Sequence, residues 1–347
     1  MSDTERPSSD LTQDVNAPDV AESQFNLHCS AEGSPEQNLL VPAEGIGQLE
    51  PFSFSPPPQA VPVFNGPFFP FESAPSPPPI RHPNFADASL FLVVLLMGFL
   101  VATGTLGVAL HYHLWGLKSF AQAQNSTVVA LSTQLLIYIV GIAGAIPFFR
   151  IAWSGSFFHG IHWNGAIAVR QLGRLILVAV LCNVVAMLGN MVLPFPKEAP
   201  IDKMFGTRSD AWMLFVFGVV IAPFFEEMIF RGFLLPAVAT AWDWCYERFA
   251  GRLSRGVDGE GNPNWSLSAM VFAALVVSAP FALMHSAQVA RSWGPLSLLY
   301  CVSLVLCTVR LATKSLAAST LVHATYNFLL FAVMLAETDG FRHLDKM

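Results

Sequence analysis

From Ala88 onward the chain repeats one pattern: an apolar run of about 20 residues, then a short polar connection. Runs of that length, unbroken by strand-like alternation, predict membrane-spanning helices near 88–112, 127–149, 172–194, 211–236, 267–286, 295–311 and 315–337. Seven spans are the central expectation. The fourth apolar segment is long enough to continue past Pro236 toward Arg248, so an eighth is the alternative. The connection 241–266, with its Gly, Asn and Pro residues, is the one sizeable hydrophilic loop. The fold class is therefore all-α, a polytopic membrane helix bundle of seven to eight spans. The lipid bilayer is its first partner.

Residues 1–86 break the pattern. They hold 16 of the 25 prolines, 11 acidic residues and 2 basic ones, with no helical periodicity. Such a composition cannot build a core, and it predicts a disordered acidic, Pro-rich tail (1–86) ahead of a transmembrane domain (87–340). The Phe-Pro clusters "FSFSPPP" and "GPFFPFES" could dock on a partner, although a tether is the commoner use of such sequence. A chain starting near Asn84 is expected to insert and to keep its chemistry.

Composition agrees with the pattern. Of 347 residues, 53% are hydrophobic and 12% charged, about half the charge of a soluble domain. Outside the tail the balance is close to neutral and no dense Lys/Arg patch is present, which excludes nucleic acid as a partner. Five scattered cysteines form neither a disulfide framework nor a zinc motif. The opening "MSDTERPSSD" is no secretory signal peptide. The N-terminal side of a seven-span arrangement carries 10 Lys/Arg, with Arg231 left out as intramembrane, and the opposite side carries 7. This places the N-terminus in the cytoplasm by the positive-inside rule.

The chemistry lies where ionisable groups enter these apolar runs. A charge at the bilayer centre costs at least about 2.5–3.5 kcal/mol, so such residues face the bundle interior and usually work there. In "FFEEMIFRGFLLP", Glu227 and Arg231 are one turn apart and can pair. Glu226 lies roughly 140° round the helix from Arg231 and is left unpartnered. Pro223 frees a backbone carbonyl in the same helix and can kink it. "FALMHS" supplies His285 near the end of an apolar run. "HATYNF" sets His323 and Asn327 one turn apart on the last helix. Imidazole suits a carboxylate that activates water, and an amide suits an oxyanion. Taken singly, a membrane His or Asn is more often an interhelical hydrogen-bonding group, and a Glu–Arg pair can be purely structural. Together, on three helices otherwise nearly free of such groups, they point to a functional site.

Glu226-Glu227 with Arg231 matches EExxxR, Phe281 with His285 matches FxxxH, and His323 with Asn327 matches HxxxN. In this order, over about residues 205–335, the chain resembles the CPBP family of intramembrane proteases, which includes the CAAX prenyl endopeptidase. The 241–266 loop looks longer than that family's usual link. The resemblance implies Glu226 as general base, His285 polarising the water, His323 and Asn327 holding the oxyanion, and Glu227 and Arg231 organising the site. It also implies a peptide or membrane-protein substrate, with prenylated CAAX peptides the best-known class, and a bacterial plasma membrane as the setting. The family was long described as metalloproteases, and one Glu with two His is a plausible zinc set. The closing Asn is a poor zinc ligand, so a cofactor-free glutamate mechanism is favoured over zinc. The competing readings are a non-catalytic scaffold or immunity protein of the same fold and a proton-coupled transporter. The internal repeats that commonly mark a transporter are absent from the sequence.

One conflict stands in this reading. Counted at 1.5 Å per residue from the cytoplasmic ends, Glu226 lies roughly 15–21 Å deep, His323 about 12 Å and His285 about 27 Å. Groups of one site should be level.

Overall fold

The computed structural model describes residues 80–196 and 199–344. The tail reading for residues 1–79 lies outside them. The described residues are helical with no strand, and seven helices are long and apolar enough to cross a membrane. These are α1 (Phe85–His111), α2 (Thr127–Ala152), α3 (Leu172–Val192), α4 (Arg208–Ala250), α5 (Leu267–Met284), α6 (Trp293–Thr313) and α7 (Leu316–Glu337). Their ends carry local signals. Asn84 and Asp87 form a capping box at the start of α1, and the side chains of Ser126, Thr207, Ser266 and Ser315 accept the free N–H groups at the starts of α2, α4, α5 and α7. Gly251, at φ +63°, ends α4 in the left-handed region.

The outer faces are apolar. Leu92, Val93 and Leu96 of α1 and Leu181, Val185 and Leu188 of α3 are exposed, as expected where hydrocarbon rather than water is the solvent. Between helices, small residues permit close approach. At Gly98 an added Cβ would lie 2.8 Å from the Ile137 carbonyl oxygen of α2, so α1 and α2 touch backbone to backbone there.

α4 runs through the middle of the bundle. Its first half packs with α1 and α2 through Phe217, Phe225 and Phe233. Its second half packs with α5 through Leu235, Val238, Ala269 and Val277. α3, α6 and α7 form a further layer around Ala179, Val302 and Val322.

Two expectations need correction. The fourth span does not stop at Pro236, nor does it give rise to an eighth; it continues as one helix to Ala250, so the α4–α5 loop is residues 251–266 rather than 241–266. Pro236 falls at the second position of an α-helical stretch that follows a π-helical one, where its ring is tolerated without ending the helix. This longer helix resolves the depth conflict between Glu226 and His285. Asp243 of α4 accepts the Ser266 N–H at 2.8 Å, and also the Ser266 hydroxyl, tying α4 to the start of α5. Counted from that tie, Glu226 is roughly 25 Å back along α4 and His285 roughly 28 Å along α5. The two are level because both helices are measured from one point.

The other correction concerns the tail boundary. Residues 80–84, read as tail, pack on α4: Arg81 is buried, with Nη2 2.9 Å from Glu247 and Nη1 3.8 Å from Asp243. Asp243→Ala is expected to remove two hydrogen bonds and a partner of Arg81, lowering stability by about 2–4 kcal/mol. The loss is readable from a melting curve in detergent. A chain beginning at Ile80 is expected to melt higher than one beginning at Asn84, which lacks Arg81.

Candidate active site

Glu226 and Glu227 sit in a short α-helical stretch of α4, Ala222–Glu227, between two π-helical stretches, Phe217–Ile221 and Met228–Leu234. The wider turns are imposed locally. Ala222 donates its N–H to the Phe217 carbonyl, a five-residue step, so the Gly218 carbonyl loses its usual partner. Its next candidate in the same pattern is residue 223, a proline with no N–H. The Asn327 amide fills the vacancy, donating from Nδ2 to the Gly218 oxygen at 2.7 Å. Pro223 and Asn327 are thus two halves of one local arrangement.

One turn on, Arg231 is fully buried. Its Nη1 donates to Glu227 Oε1 at 2.9 Å, and its Nη2 donates to the Ser303 carbonyl at 3.0 Å and hydroxyl at 2.7 Å. The Phe281 ring lies against the guanidinium, 4.4 Å from centroid to Cζ. Glu227 Oε1 also faces His323 Nδ1 at 3.0 Å. Glu227 is therefore committed to Arg231 and His323, and holds α4, α6 and α7 together.

Glu226 makes no hydrogen bond to a described side chain, although it is 6% exposed. Two imidazoles turn toward it. His323 Nε2 lies 3.7 Å from Glu226 Oε2, and His285 Nε2 lies 3.9 Å from the same oxygen. The other ring nitrogen fixes each tautomer. His285 Nδ1 is 2.9 Å from the Phe281 carbonyl, which can only accept, so Nδ1 carries the proton. His323 Nδ1 faces a carboxylate and carries its proton for the same reason. In their neutral forms both rings present an Nε2 lone pair to the Glu226 oxygen. Three acceptors facing one another need a proton donor or a cation between them. Two tetrahedral ligands of zinc, each about 2.0–2.1 Å from the metal, stand about 3.4 Å apart. The observed separations are wider, and among the described residues no group of three His, Cys, Asp or Glu has an arrangement suited to a metal ion.

Glu226, His285 and His323 are thus brought together, with Glu227 and Arg231 beneath them. Asn327 lies one turn further along α7, with one of its two amide N–H groups used by Gly218. Beside the site a groove of about 700 Å³ runs between α2, α4 and α7, lined by Leu135, Trp163, Val220, Phe224, Thr320 and Ala324. Its lining includes the neighbours of Glu226 and His323 in the chain, Phe225 and Ala324.

Sequence reasoning missed Ser303 and the part played by Phe281. Ser303 stands alone in the apolar run "CVSLVLC", which is a usable signal for a buried donor or acceptor. Phe281 contributes its carbonyl to His285 and its ring to both Arg231 and His323, with centroids 5.8 Å apart to the latter. That carbonyl is invisible in a residue type.

Residues 208–329 match the family model described as Rce1-like, type II CAAX prenyl endopeptidase Rce1-like. The three motifs all fall inside the match, in agreement with the resemblance they carried, and the seven apolar helices make the chain an integral membrane protein. No curated protein and no solved structure matches the chain.

Arg231→Ala is expected to strand Glu227 in a low-dielectric interior and cost about 3–5 kcal/mol, seen as lost yield and a lower melting temperature. Asn327→Leu should also melt lower, by about 1–3 kcal/mol, because it orphans the half-buried Gly218 carbonyl. A variant with unchanged melting temperature would show that this bond contributes nothing to the fold.

Proposed function

We propose that this protein is an intramembrane endopeptidase in which Glu226 acts as general base on a water held between its carboxylate and the Nε2 atoms of His285 and His323. The observation that carries the reading is the division of labour between adjacent glutamates. Glu227 is neutralised by Arg231 and bonded to His323, whereas Glu226 is left free beside two imidazoles.

The water gives a proton to Glu226 as its oxygen attacks the peptide carbonyl carbon. The C=O electron pair moves onto the carbonyl oxygen. That oxyanion is stabilised by the remaining N–H of Asn327. Collapse of the tetrahedral intermediate breaks the C–N bond, and the amine leaves with the proton from Glu226. Arg231, Ser303 and Phe281 touch no reacting atom in this scheme. They hold Glu227 and His323, and so aim Nε2. The adjoining apolar groove suits a substrate carrying an apolar segment, either a membrane-protein helix or a prenylated CAAX-type peptide. The excess of basic residues on the N-terminal side favours a cytoplasmic N-terminus.

Zinc is the second reading, favoured by the convergence of three lone pairs on one point. The spacing around Glu226 Oε2 supports water over a tetrahedral ion. A transporter or non-catalytic scaffold of the same fold would have no use for an unpaired base beside two fixed tautomers.

Glu226→Gln is expected to fold and melt like the parent and to lose turnover of a quenched peptide library by a factor of about 10² or more. Near-normal turnover in that variant, with a dead but stable Glu227→Gln, would move the base to the other carboxylate. Metal analysis should find far less than one zinc per active chain, and a chelator should leave cleavage intact. Stoichiometric zinc whose removal abolishes cleavage would decide for the metal mechanism.

A further inference from the structure

Another buried guanidinium has no role in the chemistry above. Arg310, near the end of α6, is 3% exposed. It makes no hydrogen bond or ion pair with any described residue, and its Nε and Nη2 are buried without a partner. Leaving a buried charge unpaired costs several kcal/mol, so a site of this kind carries an occupant or a compensating function. Nε and Nη2 form the side-on edge of the guanidinium, whose two parallel N–H groups match two oxygens of one oxyanion.

Arg310 lines a cavity of about 250 Å³ closed by the α4–α5 loop, the α6–α7 turn and His162. Its other polar lining residues are Asn262, Asn264 and Lys314. Lys314 is already bound to Asp258 at 2.6 Å, and the Asn262 amide is turned to Asp258 and Glu260. His162 is held neutral, its pKa pushed down to about 4 by burial first and then by the Arg310 guanidinium. Among the described residues, the free charge of the cavity is therefore the one cation on Arg310. Along α6, Arg310 lies two turns from Ser303, on the same face and roughly 10 Å further toward the end of the bundle. That end carries the polar loops and, with them, the excess of basic residues. It is the depth of lipid headgroups, not of the hydrocarbon.

We infer that Arg310, with Asn264 at the rim, forms a binding site for a phosphate-class oxyanion. The phosphate can belong to a lipid headgroup or be free in solution. Depth favours the lipid, since the site opens where phosphodiesters lie and where an anionic leaflet concentrates them.

The test uses the full chain in detergent, stripped of lipid, with melting temperature and native mass spectrometry as readouts. The probes are inorganic phosphate, with sodium chloride at matched ionic strength, and phosphatidylglycerol added to the micelles. The parent is expected to melt several degrees higher with a phosphate probe and to retain one phosphate or one lipid per chain. Arg310→Leu is expected to lose the shift and the bound mass. It should also melt no lower than the parent without probe, because it removes an unpaired buried charge. If Arg310→Leu does not fold, Arg310→Lys, which keeps the charge but lacks the two-pronged edge, should weaken retention about tenfold or more. A response to inorganic phosphate identifies free phosphate as sufficient. A response to phosphatidylglycerol alone identifies the lipid. No response to either probe, or an equal response in the Arg310 variants, overturns the site.

Discussion

The buried contact between Arg231 and Glu227 is the interaction on which the rest of the bundle depends. Neither group can stay ionised in an apolar interior without the other. Once paired, their remaining bonding capacity reaches outward: the guanidinium to Ser303 on α6 and to the face of Phe281 on α5, the carboxylate to His323 on α7. Charge-assisted hydrogen bonds contribute about 1.5–3 kcal/mol each, more than neutral ones, and here they cross between helices that apolar packing alone leaves free to slide. Four helices are indexed by one ion pair.

The same pair defines the site by exclusion. Because Glu227 absorbs the arginine, its neighbour Glu226 points away with nothing to neutralise it, and two imidazoles approach the vacancy. The backbone accommodates this with two π-helical stretches around the glutamates. A π turn widens the helix and releases carbonyls from the regular ladder, and such turns recur at functional sites. Here the released Gly218 carbonyl is taken by Asn327, a residue whose type alone suggested only a donor for chemistry. An amide with two N–H groups can serve both needs at once.

The polar loops are part of the same construction. Asp243, Ser266, Arg81 and Glu247 gather at one end of α4 and set where α5 begins. That distant register decides whether His285, at the other end of α5, arrives level with Glu226. An error of one residue at the loop moves the imidazole by about 1.5 Å and turns it by about 100°.

By itself the sequence determined the class of the molecule and the pairing within one helix. Apolar run length dictates membrane helices, because lipid offers the backbone no hydrogen bonds. The four-residue spacing dictates that Glu227, not Glu226, meets Arg231. The same periodicity and the same three motifs also predicted most span boundaries and the family model that residues 208–329 match. Only the tertiary structure decided what crosses between helices. That α4 continues through Pro236 to Ala250, and that His285 is thereby level with Glu226, depends on a tie between Asp243 and Ser266. That Ser303 holds Arg231 and that Asn327 answers the carbonyl left by Pro223 are contacts between groups 72 and 109 positions apart in the chain. Periodicity reports which face of a helix is apolar. It carries no information about which backbone oxygen, on another helix, a given side chain will reach.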